Sequence, residues 1–375
     1  MAQASGDRLL YNFPVKSWDV IIVGGGIIGL SLAISLRKQA LRVLVVERSE
    51  PGREASSAAA GMLVGCGTEI PEVLKVLAAA SAEMYPEFVH ELEDESGLKV
   101  DLRDQGTIVI SRDGKFPERV ESLSSAQLSE LEPELAIPHG GSLRAPSEVQ
   151  AAVLKERSVD PRKLVAAAIK ASRHRGVDIS SGSEVKAILV SGERISGVQT
   201  DKASYFSGTV INCAGAWSGC LSTPALPVHP VKGQMLAVVG APALRRVVRG
   251  EAVYLVPRSD GRIVIGSTLE NAGYDKRTNV NAIQKLFEAA VELMPALAKA
   301  KKHEDWTGLR PGTPDSMPIL GECQTHGYFV ASGHYRDGIL LAPITARLMT
   351  ELILGKKPAY DLTPFSPYRF RSASS

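Results

Sequence analysis

Two arginines near the carboxyl end of the chain stand in glycine-rich segments where a fixed guanidinium could bind an anion. Arg310 lies between Leu309 and Pro311 in the segment GLRPGT, which we interpret as a turn after a strand or coil. Arg336 lies two residues before Gly338, where the last helix is predicted to begin. A guanidinium presents a planar fork of donors that matches a carboxylate, which a lysine ammonium cannot reproduce. The alternative is that each arginine pairs with a structural Asp or Glu.

Apart from these arginines, the sequence offers few candidates for catalytic side chains. Tyr254 lies in an apolar strand segment and could add a hydroxyl to the same site, although a core position would suit it equally well. The seven histidines are dispersed, and only His334 lies in a glycine-flanked segment. The sequence has no G-x-S-x-G elbow, no H-E-x-x-H motif and no G-K-[ST] loop. Its four cysteines form no C-x-x-C pair, so we expect neither a metal site nor a disulfide framework.

A glycine fingerprint near the amino end predicts a dinucleotide site. Gly24, Gly26 and Gly29 follow a short apolar strand, Val20–Val23, with G-x-G-x-x-G spacing. The first glycine permits a tight turn, the second lets the backbone approach a pyrophosphate, and the third lets helix and strand pack closely. The alternative is a structural βαβ unit that binds nothing.

The elements around the fingerprint favour the dinucleotide. A helix predicted over 27–36 would direct its free N–H groups and partial positive charge at the phosphates. A second buried strand, Val43–Val46, is followed by Glu47, which can accept a hydrogen bond from a ribose hydroxyl. NAD and FAD both carry that hydroxyl, and Arg48 leaves a 2′-phosphate open, so this stretch does not choose the cofactor.

Two segments of small residues, 55–62 and 208–218, would let the backbone lie against a bulky flat ligand. The helix predicted after Gly338 could offer its positive end to an electron-rich ring. Cofactor contacts at both ends of the chain suit a flavoprotein better than an ordinary nicotinamide dehydrogenase.

The longest predicted helix covers 71–95 and should be bent or divided at Pro86. Another helix is predicted to begin at Asp160 and Pro161.

Composition places the chain among ordinary globular proteins. It has 375 residues, 44% of them hydrophobic and 22% charged, and a net charge of +2, which gives no argument for nucleic acid. The uncharged stretch 20–36 contains four glycines and is shorter than the roughly 20 apolar residues of a membrane span. We therefore expect no membrane span. A reducing cytoplasm is the simplest location.

The motifs together resemble the D-amino-acid oxidase superfamily of FAD-dependent amine oxidases, and within it the bacterial glycine oxidases of thiamine biosynthesis. The resemblance covers residues 18–364. It rests on the fingerprint with Glu47 and on the segments 57–63, 253–258, 308–313 and 333–343. It implies a mixed α/β fold, in which a GR2-type, Rossmann-like FAD-binding domain interleaves with a substrate domain built on a mostly antiparallel sheet.

The implied domain boundaries follow from the same likeness. The FAD-binding domain would take residues 18–98, 150–223 and 306–366, and the substrate-binding domain 99–149 and 224–305. Residues 1–17 would form an N-terminal extension and residues 367–375 a tail.

The resemblance also implies the site. Arg310 would bind the substrate carboxylate, with Tyr254 and Arg336 beside it as the other catalytic residues. FAD would be held without a covalent link, since the tethering cysteine of related sarcosine oxidases has no clear match. The implied FAD contacts are Gly24, Gly26, Ile27, Ile28, Gly29, Glu47, Arg48, Ala55, Ser56, Ala60, Gly61, Met62, Val185, Gly215, His334, Tyr335, Arg336, Asp337, Gly338, Ile339 and Leu340.

The implied reaction is oxidative deamination of glycine or another small amino acid. Hydride would pass to the flavin, the products would be an imino or oxo acid with ammonia or amine, and dioxygen would be reduced to hydrogen peroxide. Ala252 and Leu269 stand where better-known glycine oxidases carry His and Met, so sarcosine, D-alanine or D-proline stay open as substrates. The alternatives are a dehydrogenase using another acceptor, a 2-hydroxy-acid oxidoreductase and a non-catalytic FAD-binding protein. The chain could also assemble as a homo-oligomer.

Overall fold

The structure is a computed structural model that describes residues 17–65, 70–111, 116, 120, 122–136, 150–221 and 225–370. Residues 1–16 of the predicted extension and 371–375 of the predicted tail lie outside the described residues. The α-helices are α1 (Ile27–Arg37), α2 (Ala55–Ala58), α3 (Glu72–Ser96), α4 (Ser125–Leu131), α5 (Pro161–His174), α6 (Val280–Leu293) and α7 (Ala342–Ile353). Short 3-10 helices cover Gly215–Leu221, Pro295–Lys299, Thr363–Phe365 and Pro367–Phe370.

The strands of the first half of the chain are β1 (Val20–Val23), β2 (Val43–Val46), β3 (Met62–Leu63), β4 (Leu102–Arg103), β5 (Thr107–Ser111), β6 (Ser122–Leu123), β7 (Gln150–Leu154), β8 (Arg157–Val159), β9 (Asp178–Ser180) and β10 (Val185–Ser191). Those of the second half are β11 (Arg194–Thr200), β12 (Ser204–Phe206), β13 (Val210–Asn212), β14 (His229–Val239), β15 (Val247–Arg249), β16 (Tyr254–Pro257), β17 (Ile263–Gly266), β18 (Lys301–Gly312), β19 (Ile319–Glu322) and β20 (Tyr328–Ser332).

A six-stranded sheet with the order β19-β20-β13-β1-β2-β9 carries the glycine fingerprint. Its neighbours are parallel except for the antiparallel pair β19 and β20. Alternate residues of β1 belong to different cores. Ile22 packs in the cluster that contains the helices, and Ile21 packs with the sheet β10-β11-β12 on the other face. Because both faces are covered, β1 and β2 are continuous apolar runs.

An eight-stranded sheet with the order β18-β14-β17-β16-β15-β5-β7-β6 forms the second layer. It is antiparallel except where β15 pairs with β5. One face packs on α6, through residues such as Leu236 and Ile265 with Leu286. The opposite face carries a smaller cluster that includes Met235 and reaches Ala60 of the first layer. This second face therefore looks towards the nucleotide-type half of the chain.

The predicted mixed α/β fold with a Rossmann-like unit is confirmed, and β1, α1 and β2 occupy the predicted positions. The predicted division into two interleaved domains stays a prediction. Within the described residues, no helix is both long and apolar enough to cross a membrane.

Three local expectations need correction. Arg310 lies inside β18 rather than in a turn, because β18 is an edge strand where the missing N–H of Pro311 removes no required ladder bond. The last helix begins at Ala342 rather than near Gly338, with Pro343 in its first turn. Helix α3 runs undivided through Pro86.

Candidate active site

A cavity of about 1180 Å³ lies between the fingerprint and the second face of the eight-stranded sheet. Small-molecule pockets usually span roughly 300–1,000 Å³, so this space can hold a large cofactor together with a small substrate. Its lining includes Gly24 after β1, Glu47 after β2, Tyr254 of β16 and Arg310 of β18. The structure thus brings the two ends of the chain to one cavity.

Two of the fingerprint positions require glycine because neighbouring backbone atoms come too close for a side chain. Gly24 has φ +107, and a Cβ there would lie 2.8 Å from the carbonyl carbon of Cys213 and closer still to its oxygen. A Cβ on Gly29 would overlap the carbonyl oxygen of Gly24, so this residue serves the packing of α1 on β1. Gly26 lies immediately before α1, whose first N–H, on Ile27, donates to Ser56 Oγ at 2.9 Å.

Glu47 is fixed at the carboxyl end of β2 by backbone donors. Gly25 N donates to one carboxylate oxygen and Ser49 N to the other, each at 2.9 Å. The Ser49 hydroxyl adds a longer bond at 3.3 Å. A carboxylate has about four lone-pair sites, so these three bonds leave acceptor capacity for a ribose hydroxyl. The Glu47 side chain is buried and lines the cavity.

Three stacked side chains lie at the Glu47 end of the cavity, and this stack was not predicted from the sequence. The Arg48 guanidinium lies 3.5 Å from the ring centroid of Trp217, and Trp217 stacks on Tyr274 with centroids 5.4 Å apart. Arg48 also pairs with Glu54 at 2.5 Å, and Lys276 reaches Glu54 at 3.1 Å. The tryptophan inside the small-residue segment 208–218 was the available signal, but its partners are distant in sequence.

Arg310 lies partly buried at the substrate end of the cavity. Its Nη2 donates to Ser267 Oγ at 2.7 Å and its Nη1 to the carbonyl oxygen of Thr268 at 3.3 Å. Burial lowers the pKa of the guanidinium, and the neighbouring Arg336 charge lowers it further. Among the described residues, no carboxylate forms an ion pair with Arg310, so the structural Asp or Glu partner considered as an alternative is not found.

Tyr254 lies beside this guanidinium. Its Oη approaches Met235 Sδ at 3.0 Å. Burial raises the pKa of the phenol, against the opposing effects of the Arg310 and Arg336 charges. The phenol therefore remains a hydrogen-bond donor at neutral pH.

The glycine-flanked segment 333–343 forms another wall of the cavity. Tyr335 has φ +48, a left-handed conformation that costs a non-glycine residue about 1–3 kcal/mol, and its N–H donates to the Pro311 carbonyl oxygen at 3.0 Å. Arg336 is exposed at the rim, with Cζ 5.3 Å from the Tyr335 ring centroid. His334 is buried, its Nε2 lies 3.0 Å from Thr345 Oγ1, and burial lowers its pKa to about 3. The imidazole is therefore neutral at physiological pH.

The structure places all but two of the predicted site residues on the cavity wall. Gly29 packs α1 against β1, as the fingerprint requires. Leu340 lies in the core, where its carbonyl oxygen accepts a hydrogen bond from Ser81 Oγ at 2.6 Å. Those on the wall are Gly24, Gly26, Ile27, Ile28, Glu47, Arg48, Ala55, Ser56, Ala60, Gly61, Met62, Val185, Gly215, Tyr254, Arg310, His334, Tyr335, Arg336, Asp337, Gly338 and Ile339. Their functional roles stay predictions.

Comparison with known proteins identifies the family. The family model described as "DAO: FAD dependent oxidoreductase" matches residues 19–352. The chain belongs to this family of FAD-dependent oxidoreductases. The predicted family, enzyme class and FAD cofactor are thereby confirmed.

Individual relatives of this FAD-dependent oxidoreductase cover nearly all of it. A glycine oxidase of Pseudomonas aeruginosa is 36% identical over 364 residues, which are 93% of this chain and 98% of that protein. The bifunctional protein ThiO/ThiG of Synechocystis is 37% identical over 372 residues, 95% of this chain, but the match covers only 55% of that protein. The chain therefore spans about half the length of this relative. The crystal structure of glycine oxidase from Geobacillus kaustophilus has a TM-score of 0.87 and 31% identity, covering 95% of this chain and 100% of that one.

The residues of this FAD-dependent oxidoreductase suit the cofactor. Gly24 and Gly29 let the neighbouring backbone pack closely, and Gly26 presents bare backbone to the cavity. Glu47 offers acceptors for a ribose, and the 334–339 wall lies across the same cavity. FAD would thus be held from the fingerprint to the 334–339 wall, with Arg310 left for the substrate.

Proposed function

We propose that this flavoprotein oxidatively deaminates a small amino acid: glycine, or an amine such as sarcosine, D-alanine or D-proline. The observation that carries the proposal is the Arg310 guanidinium, a cation without a carboxylate partner among the described residues, in the cavity that also contains the FAD fingerprint. The similarity to proteins named glycine oxidase supports the same class of substrate.

Arg310 binds the substrate carboxylate in this proposal. A guanidinium has five N–H donors, and its bonds to Ser267 and Thr268 leave donors for a ligand. Those two bonds also fix the orientation of the guanidinium plane. A carboxylate held in two parallel bonds would present the substrate Cα in one orientation, which is the main contribution positioning can make to rate.

Tyr254 and Arg336 complete the carboxylate end. The protonated Tyr254 phenol can donate to a carboxylate oxygen, because burial keeps its pKa above the ordinary value of 10.0. The exposed Arg336 at the rim adds positive charge along the path of an anionic substrate. When bound, FAD supplies the two-electron redox chemistry. The chain itself binds and orients the amine, and the neutral His334 adds no charge to this wall.

The residues at the substrate end favour a broader range than glycine alone. Ala252 and Leu269 both line the cavity, and Leu269 is 55% exposed. A methyl side chain and an apolar surface leave room for an N-methyl group or a small ring and favour it over water. Sarcosine, D-alanine and D-proline are therefore proposed together with glycine.

The proposal is tested with purified protein that carries its yellow cofactor. Under anaerobic conditions, glycine, sarcosine, D-alanine and D-proline are added separately, and the flavin absorbance is followed. We expect at least one to bleach it, while acetate, which has a carboxylate but no amine, should not. Failure of every amino acid to bleach the flavin would overturn the proposal.

The electron acceptor is proposed to be dioxygen, with hydrogen peroxide as product. Peroxide formation in air, measured with peroxidase after the same substrate additions, supports an oxidase. Bleaching without peroxide would instead identify a dehydrogenase that uses another acceptor. A non-covalent FAD link, a cytoplasmic location and a homo-oligomeric state are proposals of the same kind, open to acid release of the flavin, fractionation and light scattering.

A further inference from the structure

The cavity face of the eight-stranded sheet presents one continuous row of residues under the substrate site. Tyr254 of β16 is opposite Gly266 of β17, which is opposite Met235 of β14. Gly233 lies two residues before Met235, and side chains at i and i+2 of a strand point to the same face. Two glycines therefore lie on the same face as the residues proposed to bind substrate.

Gly233 makes room for the Arg310 guanidinium. A Cβ on Gly233 would lie 2.5 Å from both Cζ and Nη2 of Arg310, and closer still to Nη1. These are three of the four heavy atoms of the guanidinium, so the planar group lies directly on the backbone at Gly233. Val231, two residues earlier, is the cross-strand partner of Arg310, so the side chain reaches along the sheet to this position.

Gly266 makes room for the Tyr254 phenol in the same way. A Cβ on Gly266 would lie 2.6 Å from Oη, 2.7 Å from Cζ and 2.8 Å from Cε2 of Tyr254. The hydroxyl end of the ring therefore crosses β17 at a position that has no side chain. Ser267, whose hydroxyl accepts a hydrogen bond from Arg310, is the residue after Gly266. The Tyr254 phenol and the Arg310 guanidinium therefore lie side by side at the end of β17.

Neither glycine has the positive φ that favours glycine over other residues. Gly233 lies inside β14 and Gly266 is the last residue of β17, and both are paired with a neighbouring strand. A glycine in a strand interior weakens the strand, since it loses more conformational freedom on folding than any other residue. In each case the three nearest atoms belong to the far end of a neighbouring side chain, that of Arg310 or of Tyr254, and not to the backbone of the sheet.

We propose that Gly233 and Gly266 are positioning residues of the amino-acid site, which act by letting Arg310 and Tyr254 lie flat across the sheet beneath the substrate. The inference rests on the proposed function. A Cβ at Gly233 would lift the guanidinium by about the thickness of a methyl group and turn it away from Ser267. Misplacement of a binding group by about 1 Å can cost about 10²-fold in rate.

Gly233→Ala tests this, with Gly208→Ala as the matched control because a Cβ at the exposed Gly208 meets nothing within 4 Å. Both variants are expected to fold and to bind FAD as the unmodified protein does. Gly233→Ala should lower kcat/KM by about 10²-fold, with kcat lowered as well as KM raised, whereas Gly208→Ala should change kcat/KM by less than about twofold. Gly266→Ala should cause a loss of the same kind.

A double-mutant cycle shows whether Gly233 acts through Arg310. In an Arg310→Lys background the planar head that lies on Gly233 is absent, so Gly233→Ala should cost less than about threefold. An equal loss in both backgrounds, an unchanged kcat/KM, or a Gly233→Ala protein that fails to fold or bind FAD would each overturn the inference. The last outcome would show that the glycine serves the sheet.

A crystal structure of Gly233→Ala provides a readout that does not depend on activity. We expect the Arg310 head group to move by more than 1 Å while the β14 backbone stays in place. Unmoved head-group atoms would overturn the inference even if the protein were inactive. Failure of the unmodified protein to oxidise any amino acid would count against the proposed function alone, so the two failures can be told apart.

Discussion

The surroundings of Arg310 differ from those of three other partly buried arginines in the chain. Arg162, Arg175 and Arg262 each pair with at least one carboxylate at 3.2 Å or less. Arg310 instead donates to a hydroxyl and a backbone carbonyl, so its positive charge is solvated by neutral groups. A protein gains little stability from such a cation, because burial of charge costs free energy without an ion pair in return. A ligand carboxylate would provide the missing charge.

Arg310→Ala is expected to leave FAD bound and to reduce kcat/KM by about 30- to 5,000-fold, or about 2–5 kcal/mol, the range for breaking a buried charge pair. Steady-state kinetics with the best substrate measures the loss. Arg42→Ala is the control, since Arg42 is exposed at the amino end of β2, away from the site. Efficiency close to that of the unmodified protein would remove the carboxylate role of Arg310.

The buried His334 should make the stability of the folded protein depend on pH. Its pKa is about 3 in the folded protein against an ordinary value of 6.5, so the unfolded chain binds the extra proton first as pH falls. Its neutral form thus contributes stability that is complete above pH 6.5 and is lost towards pH 3. Between pH 7 and pH 5 the free energy of unfolding should fall by about 2 kcal/mol through this group.

Urea unfolding of the unmodified protein and of His334→Gln at the two pH values, at one FAD concentration, measures the difference. Only the histidine protein should show the extra loss at pH 5. Parallel losses in both proteins would mean that other groups cause the acid sensitivity.

Elements defined by local pattern were predictable, and those defined by distant partners were not. Strands β1 and β2 and helix α1 follow from short apolar runs and glycine spacing, which act within about 30 residues. Strand β18 was missed because its pairing with β14 lies some 75 residues away, and Pro311 imitates a turn signal. The stack of Arg48, Trp217 and Tyr274 joins three remote segments, so no local pattern could indicate it.

The segment 270–279 acts as a strap between the two layers. Its bridge to Lys232 fixes one end on the eight-stranded sheet. Its other end returns to the same sheet, where Asn279 N donates to Gln234 Oε1 at 2.6 Å. In its middle, Tyr274 Oη donates to the Ala216 carbonyl oxygen at 3.1 Å, and Lys276 pairs with Glu54. The strap therefore supports the cavity wall at Trp217, close to Glu47.

Tyr274→Ala is expected to weaken FAD binding by about 2- to 13-fold, since an aromatic pair contributes about 0.5–1.5 kcal/mol. Titration of the apoprotein with FAD, followed by flavin fluorescence, measures the dissociation constant. Tyr368→Ala, a change at another exposed tyrosine outside the cavity wall, should leave it unchanged. An unaltered dissociation constant for Tyr274→Ala would show that the strap does not support the cofactor.

At the scale of the molecule, the two layers are joined by a buried arginine. Arg258 of the sheet layer donates to the carbonyl oxygens of Ala60 at 2.6 Å and Val159 at 3.3 Å. It also lies 3.9 Å from Asp160, the cap of α5. Because Ala60 lines the cavity, this contact fixes the small-residue segment against the second layer.

Arg258→Met should lower the free energy of unfolding by about 1–3 kcal/mol for each of the two buried carbonyl oxygens that lose their donor, while Asp160 keeps its ion pair with Arg262. Denaturant unfolding measures the change. Arg42→Ala should leave the free energy of unfolding nearly unchanged, since its ion pair with Asp19 is on the surface. A small loss in Arg258→Met would show that the layers hold together without this contact.

The size of the cavity has a consequence for the protein in a living cell. The space of about 1180 Å³ that would hold FAD exists only when both layers are folded, so the folded form gains stability from each increase in free FAD. Occupancy at a thousand times the dissociation constant adds about 4 kcal/mol by mass action. In a riboflavin-starved cell the empty chain should open more often and be degraded faster. Vitamin supply would then set how much of this enzyme accumulates, independently of its gene's expression.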